Sequence, residues 1–429
     1  MSEAERRLLI LSYFYPPLGG GGVPRVLGLT RYLPAAGWRC TVVCAGEDDY
    51  WVRDDSQEIP AGTEVIRVRG GSGLAAWLKL RGRGREGRRS DETFGRLRRL
   101  SDWWLIPDSY RGWARRARAV TARRLARGDV TALLSTSPPD SVHLAGRALA
   151  HRFRLPWVAD FRDPWIGLHF RTPPSDWHRT RHAAMEAAVV SEADAVFAAS
   201  RTHADELAAA FPARAARIHH VPNGYEPVGE GAAGATPPDA DRFLVVFTGT
   251  LAEMPDAFTF LDALHDVLAR HPEGRRRLRV RFAGPYETGV EDRAIALSLK
   301  GIVEFLGPIS HARARALQHE ADLLLLWKPR GDGYRTMVPG KLYEYLESGR
   351  PILAALRAEE EVARVARDGG ATVVEPGQRE PMRAALERAY DRWRAEGPAA
   401  PREVPWLGSH TRAELARRTA ALLETLTAR

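Results

Sequence analysis

Short apolar runs of strand length alternate with helical stretches through the first half of this chain, stop at a linker, and then begin again. That restart constrains the fold more than any other feature. The linker, Glu226 to Asp241, is Gly, Ala and Pro with scattered acids and has no hydrophobic period. Before it, strands are expected at Leu8 to Tyr13, Cys40 to Cys44, Glu64 to Val68, Ala132 to Ser135, Trp157 to Asp160, Ala195 to Ala199 and Ile218 to Val221. Helices are expected at Val23 to Ala36, Tyr110 to Arg127, Trp177 to Glu192 and Thr202 to Ala210. After it, strands at Phe243 to Phe247, Leu278 to Phe282, Val303 to Leu306, Leu323 to Trp327, Ile352 to Ala355 and Thr372 to Val374 flank helices at Phe258 to Arg270, Gly340 to Ser348 and Val362 to Asp368. A short helix ends at Leu317 to Glu320. Strand–helix alternation implies a parallel, doubly wound sheet. At 429 residues the chain is too long for one ordinary core, so two α/β domains are expected. Open α/β sheets bind ligands outside the carboxyl ends of their strands, which puts the expected site in a cleft between the halves. The final segment, Thr411 to Thr427, is amphipathic, and Thr411 with Glu414 fits a capping box.

The formal net charge is +9, which suits nucleic acid, an anionic membrane surface or phosphorylated substrates. Basic residues crowd between Lys79 and Arg127, with Trp77, Trp103, Trp104 and Trp113 among them. Arginines beside tryptophans suit a membrane interface, while a generally arginine-rich composition accounts for much of the remaining charge. The stretch from about residue 70 to 100 reads as a flexible basic insertion. No uncharged apolar run is long enough for a membrane span, and the N-terminal run lacks the features of a signal peptide, so a cytoplasmic protein is expected. Cys40 and Cys44 fall on one face of a strand, too far apart for a disulfide, and read as core fillers. His143, His151, His169 and His178 show no metal-ligand spacing, and no metal is assigned to them.

Three places carry candidate chemistry. Pro16-Pro17-Leu18-Gly19-Gly20-Gly21-Gly22 joins the first strand to the first helix, where glycine amides and a helix N-terminus can meet an anion. It matches neither the Walker nor the dinucleotide pattern, and a plain tight turn fits it equally well. Asp160-Phe161-Arg162-Asp163-Pro164-Trp165 sits at a strand's carboxyl end. Arg162 either pairs with Asp160 or Asp163 for structural reasons or faces a sugar or a leaving phosphate, and the position favours function. Lys341 stands in the first turn of a helix, where a cation opposes the helix dipole, with Glu344 on the same face.

In this order and spacing the pieces resemble family 4 glycosyltransferases, over nearly the whole chain. The similar segments are Tyr15 to Gly20, Val221-Pro222-Asn223-Gly224, Phe247-Thr248-Gly249-Thr250-Leu251, Phe282-Ala283-Gly284, Phe305-Leu306-Gly307, Ala321 to Leu325 and Lys341 to Ile352. Ser137-Pro138-Pro139 with Asp160 to Trp165 resembles the branch that acts in bacterial surface-polysaccharide assembly. The resemblance implies a GT-B fold: two Rossmann-like domains facing each other across a cleft, with the C-terminal helix crossing back. It implies an acceptor-binding domain over 1–222, a nucleotide-sugar-binding domain over 223–408 and a helix over 409–429 packing toward the first domain.

By the same resemblance, Gly19, Gly20, Gly249, Thr250, Gly284, Lys341, Glu344 and Arg335 bind the donor, with Glu344 on the nucleotide ribose. Arg162, Asp163 and Asp160 are the catalytic candidates. Two departures stand out. The family's first glutamate would fall at Thr336, and the basic pair usual after Gly249 is missing, leaving Lys328, Arg335 or Lys341 to meet the phosphates. The expected activity is retaining, metal-independent transfer from a nucleotide sugar, as substrate and without a cofactor, to a glycan, lipid-linked glycan or small-molecule hydroxyl. Peripheral contact with the inner membrane extends this reading, and nucleic acid is not an expected partner. Two alternatives stay open: a nucleotide-sugar epimerase on the same fold, and a non-catalytic basic protein that binds nucleic acid or membrane.

Overall fold

The computed structural model describes residues 6–47, 49, 53–70, 103–167, 173–228, 241–252 and 254–428. The Lys79 to Arg99 part of the basic run, Trp77, most of the 226–241 linker and His169 lie outside them. The chain divides into two compact units. Among the described residues, one runs to Glu226 and resumes at Ser409, and the other spans Pro227–Gly408.

The first unit is built on seven parallel strands: β1 (Arg6–Ser12), β2 (Trp38–Ala45), β3 (Glu64–Val68), β4 (Ala132–Ser137), β5 (Trp157–Phe161), β6 (Ala195–Ala198) and β7 (Ile218–His220). Their order is β3-β2-β1-β4-β5-β6-β7. β1 is apolar from Leu8 to Leu11 because both its faces are covered: Leu9 and Leu11 join one core cluster, Leu8 and Ile10 the other. Ile10 pairs with Val42 on one side and Leu134 on the other. Cys40, Val42 and Cys44 share one core face, as alternation requires, and both thiols are free.

Five described helices fill the crossovers: α1 (Val23–Tyr32), α2 (Arg111–Leu125), α3 (Ser141–Phe153), α4 (Asp176–Glu192) and α5 (Arg201–Ala210). The expected helix to Ala36 ends at Tyr32, and Pro34 turns the remainder, Leu33–Ala36, into a 3-10 turn. Trp113, read with the interface tryptophans, is a core residue instead; its indole N–H donates to the Val68 carbonyl at 3.0 Å.

The second unit restarts the pattern with six parallel strands: β8 (Phe243–Thr248), β9 (Leu278–Ala283), β10 (Val303–Gly307), β11 (Leu323–Trp327), β12 (Ile352–Ala355) and β13 (Thr372–Val374), in the order β10-β9-β8-β11-β12-β13. Its helices include α6 (Asp256–Arg270), α7 (Thr288–Ala296), α8 (His311–Glu320), α9 (Gly340–Ser348), α10 (Glu361–Asp368) and α11 (Arg379–Glu396). Phe243, Val245, Phe247, Leu325 and Trp327 form its core with the apolar stripe of α6 and with Met382, Leu386 and Tyr390 of α11.

The chain returns to the first unit as α12 (Arg412–Thr427). Tyr225 and Thr411 form a parallel bridge where it leaves and re-enters. Ala416, Ala420, Leu423 and Leu426 of α12 then pack in one cluster with Val26, Leu27 and Leu29 of α1. Gly28 is required by this approach, since a Cβ there would lie 2.8 Å from Cδ of Arg412. Thr411 caps α12 by accepting from the Glu414 amide, whereas the Glu414 carboxylate turns to Arg417 and Arg418, so only half of the expected capping box forms.

Candidate active site

Each sheet reverses strand order once, between β1 and β4 in the first unit and between β8 and β11 in the second. Crevices outside such switch points are where open α/β sheets hold ligands. Gly19 and Gly20 follow β1, Gly249 and Thr250 follow β8 and Arg335 follows β11, while Gly284 follows β9, Arg162 and Asp163 follow β5, Asp160 lies within β5, and Lys341 and Glu344 stand on α9.

In the second unit the loops after β8, β9 and β10 are locked together. The Gly249 amide donates to the Ala283 carbonyl at 2.7 Å and the Gly284 amide to that of Gly307 at 2.8 Å. Gly249 and Gly284 have φ +121° and +137°, and a Cβ on Gly284 would stand 2.1 Å from the Gly249 oxygen. Only glycine fits there. Thr250, one residue beyond, is exposed.

Lys341, in the first turn of α9, reaches back to this edge. Its Nζ donates to the Thr248 carbonyl at 2.9 Å, lies 4.0 Å from the centre of the Phe247 ring, and is 2.8 Å from where a Gly249 Cβ would be. Burial pushes the ammonium down to about 7, against the nearby Glu344 carboxylate, which favours the charge. Glu344, on the same helical face, is buried. Its Oε1 meets His311 Nε2 at 2.9 Å and its Oε2 accepts from Gln318 at 3.3 Å. Gln318 also donates to Thr248 Oγ1 at 3.1 Å, and Tyr345 accepts from the Thr248 amide at 2.9 Å. Thr248, Lys341, Glu344, Gln318 and His311 thus form one connected cluster.

The other two cations considered for the phosphates stand apart from it. Lys328 is buried, its Nζ 2.7 Å from the Glu360 carboxylate and donating to the Tyr334 carbonyl at 2.6 Å. Arg335 is exposed, in the turn that follows Asp332–Tyr334. Thr336, at the position of the family's first glutamate, is buried.

In the first unit, Gly19 is buried while Gly20 and Gly21 are exposed, and nothing lies within 4 Å of a Cβ on Gly20 or Gly21. Gly22, the last residue of the loop, touches Arg162: a Cβ there would be 1.5 Å from Nη1. Two candidate segments remote in sequence therefore meet. Arg162 Nε donates to the Ser137 carbonyl at 2.7 Å and Nη2 to that of Pro138 at 2.6 Å. Among the described residues its guanidinium makes no hydrogen-bonded carboxylate pair, so the structural alternative of a bonded pair with Asp160 or Asp163 does not form. Burial opposes the Arg162 charge, and the Asp163 carboxylate is the main group that favours it. Asp163 is half-buried; burial raises its pKa, Arg162 opposes that shift, and no hydrogen bond reaches it among the described residues.

Asp160, grouped with the catalytic candidates, is engaged in a buried ion pair. It is buried, and Arg25 grips it through three contacts of 2.6, 2.9 and 3.1 Å while Thr136 donates at 2.8 Å. Arg25 also donates to the carbonyls of Val221 and Pro222, both at 2.8 Å. The pair ties α1 to β5 and to the exit from β7. Removing one member of such a pair costs about 3–5 kcal/mol. Arg25 was not singled out in the sequence, yet it too is a cation in a helix's first turn, the signal that drew attention to Lys341. His311 and Gln318 carry no local signal, since only the packing of α8 on α9 brings them to Glu344.

Residues 20–224 match the family model described as "Glycosyl transferase 4-like domain". No curated protein sequence matches the chain. Several solved structures share its fold. Trehalose-6-phosphate synthase OtsA aligns at TM-score 0.68 and 14% identity, covering 97% of this chain and 99% of its own. HepE from Anabaena, in complex with UDP and glucose, aligns at 0.62 and 14%, covering 98% and 100%. WaaG, a glycosyltransferase involved in lipopolysaccharide biosynthesis, aligns at 0.61 and 14%, covering 97% and 99%. With its two Rossmann-like domains the chain has the GT-B fold, and its residues 20–224 are similar to the glycosyl transferase 4-like domain.

Proposed function

We propose that this enzyme takes a glycosyl group from a nucleotide sugar and transfers it to an acceptor hydroxyl with retention at the sugar carbon. The observation that carries the reading is Lys341: its ammonium rests on the Gly249 loop, beside Glu344, at the switch point of the second sheet. There it meets the donor diphosphate. Glu344, oriented by His311 and Gln318, accepts two hydrogen bonds from the ribose diol. The fold shared with HepE, whose structure holds UDP and glucose, supports a nucleotide donor.

In the reaction the bond from the sugar carbon to the diphosphate oxygen breaks and a bond to the acceptor oxygen forms. The acceptor proton passes to the leaving phosphate, so no separate base is needed. Charge growing on that phosphate is met by Lys341 and loop amides, which assigns the stabilisation to the protein rather than to a metal ion. Gly19 and Gly20 of the first unit face the donor diphosphate, and Arg162 and Asp163 are the groups it contributes to catalysis. The likeness to WaaG supports glycoconjugate assembly as the setting.

The test is product analysis with a panel of nucleotide sugars, chosen by their ability to raise the melting temperature. Transfer predicts release of the nucleoside diphosphate that depends on an added acceptor. Conversion of the donor alone into an epimer would overturn the assignment.

A further inference from the structure

Behind Glu344 stands a set of polar side chains that join α8 to α9. His311, Arg315, Gln318 and His319 fall at i, i+4, i+7 and i+8 along α8, one face of that helix, and α9 meets them with Glu344 and Glu347. Arg315, Gln318 and Glu344 are all buried.

Arg315 is the centre of this set. Its Nη2 pairs with the Glu347 carboxylate. Its Nη1 donates to the Glu344 carbonyl at 3.0 Å and to Gln318 Oε1 at 2.6 Å. A guanidinium offers only donors, so the end of the Gln318 amide that faces it is the oxygen. The Gln318 nitrogen then points the other way, donating to Glu344 Oε2 at 3.3 Å and to Thr248 Oγ1 at 3.1 Å. Glu347 is itself held. Its Oε2 lies 3.1 Å from His319 Nε2, and its Oε1 accepts from the Val228 amide at 2.9 Å. Burial works against the Glu347 charge, but His319 and Arg315 outweigh it and hold the carboxyl below its usual range. A buried ion pair gains little stability over apolar side chains of the same volume, so its use behind the donor carboxylate is better explained by what it holds in place.

We propose that Arg315, clamped by Glu347, is a positioning residue that fixes Gln318 and, through it, turns the Glu344 carboxylate to take both hydroxyls of a ribose. With His311 on Oε1 and Gln318 on Oε2, the carboxylate cannot rotate without breaking a hydrogen bond. The inference rests on the placing of Glu344 at the nucleotide ribose. It adds the residue that enforces that contact and the discrimination against a 2′-deoxyribose that follows from it.

The test titrates uridine, guanosine and adenosine diphosphates and their 2′-deoxy counterparts calorimetrically into the full chain, Glu344→Ala, Arg315→Lys and Gln318→Met. Lysine keeps a charge for Glu347 but lacks the fork that reaches Gln318 and the Glu344 carbonyl together. The wild type should prefer the ribonucleotide it binds by about tenfold over the deoxy form. Arg315→Lys and Gln318→Met should each lose most of that preference, the ribonucleotide weakening by about tenfold and the deoxy form far less. Circular dichroism should be unchanged, and Gln318→Met decides the matter should Arg315→Lys fail to fold. A merely structural role would weaken both nucleotides alike, and that result, or an undiminished preference in the variants, would overturn the proposal. Should Glu344→Ala bind as the wild type does, or the wild type show no preference, the ribose assignment itself falls and the proposal with it. Loss of binding in Glu344→Ala beside an intact preference in the other variants would overturn the positioning role alone.

Discussion

The two sheets finish differently at their carboxyl edges. In the second unit the edge is made of backbone: glycine loops after β8, β9 and β10 are stitched amide to carbonyl, and one lysine crosses to them from α9. In the first unit the edge is made of side chains: Arg25 neutralises Asp160 beneath, and Arg162 spans from the Ser137 and Pro138 carbonyls to Gly22. A backbone edge with one cation suits a diphosphate, whose recognition needs amides and charge rather than a particular side chain. A side-chain edge can be varied to suit an acceptor without disturbing the sheet. The contrast also separates two arginines that look alike in the sequence. One closes a buried ion pair, and the other bonds backbone carbonyls with no hydrogen-bonded carboxylate among the described residues.

The arginine contrast has the largest expected consequences. Arg25→Met leaves Asp160 buried without its partner and should lower unfolding free energy by about 3–5 kcal/mol. Arg162→Met should change stability far less, because Arg162 bonds only carbonyls, yet reduce the transfer rate by about a hundredfold or more. Denaturant titration and initial rates on both variants check the pair. Equal losses of stability would break the distinction.

A smaller effect concerns Lys341 and pH. Its ordinary value of 10.5 is pushed down to about 7 in the folded chain. Between those values the unfolded chain holds a proton that the folded chain does not, so this group makes stability rise with pH across that window. Below about 7 both states are charged and the burial penalty is at its full size. Lys341→Met removes the penalty, so its melting temperature should exceed the wild type's most at pH 6, with the advantage shrinking towards pH 10. A difference independent of pH would show that the ammonium is well solvated. Donor binding should change in the opposite sense, because the diphosphate favours the charged form and loses that partner as pH rises through 7.

Much of this architecture is legible in the sequence because strands buried on both faces leave uninterrupted apolar runs. Leu323 to Trp327 and Ile352 to Ala355 are read to the residue for that reason. Three of the named helices, α3, α7 and α11, are not read from the sequence, and two of them show why. The apolar stripe of α11, Met382, Leu386, Tyr390 and Trp393, is buried among arginines and acids whose low mean hydropathy masks the period. The start of α3 is fixed from a distance: the Asp108 carboxylate accepts from the Ser141 amide and hydroxyl, both at 2.8 Å.

The candidate site divides along the same line. Lys341 and Glu344 announce themselves because their spacing puts both on one face of a helix's first turns. Pairings across the chain leave no local mark, so neither the Arg25–Asp160 ion pair nor the His311–Glu344 contact could be read beforehand. The same holds for the meeting of Arg162 with Gly22.

The account rests on the second unit's cluster gripping the nucleotide. Calorimetric titration of nucleoside diphosphates into the wild type, Glu344→Ala and Arg162→Met tests this most directly. Binding should vanish with Glu344→Ala and persist with Arg162→Met. Retained binding in the glutamate variant, with loss in the arginine variant, would contradict the account.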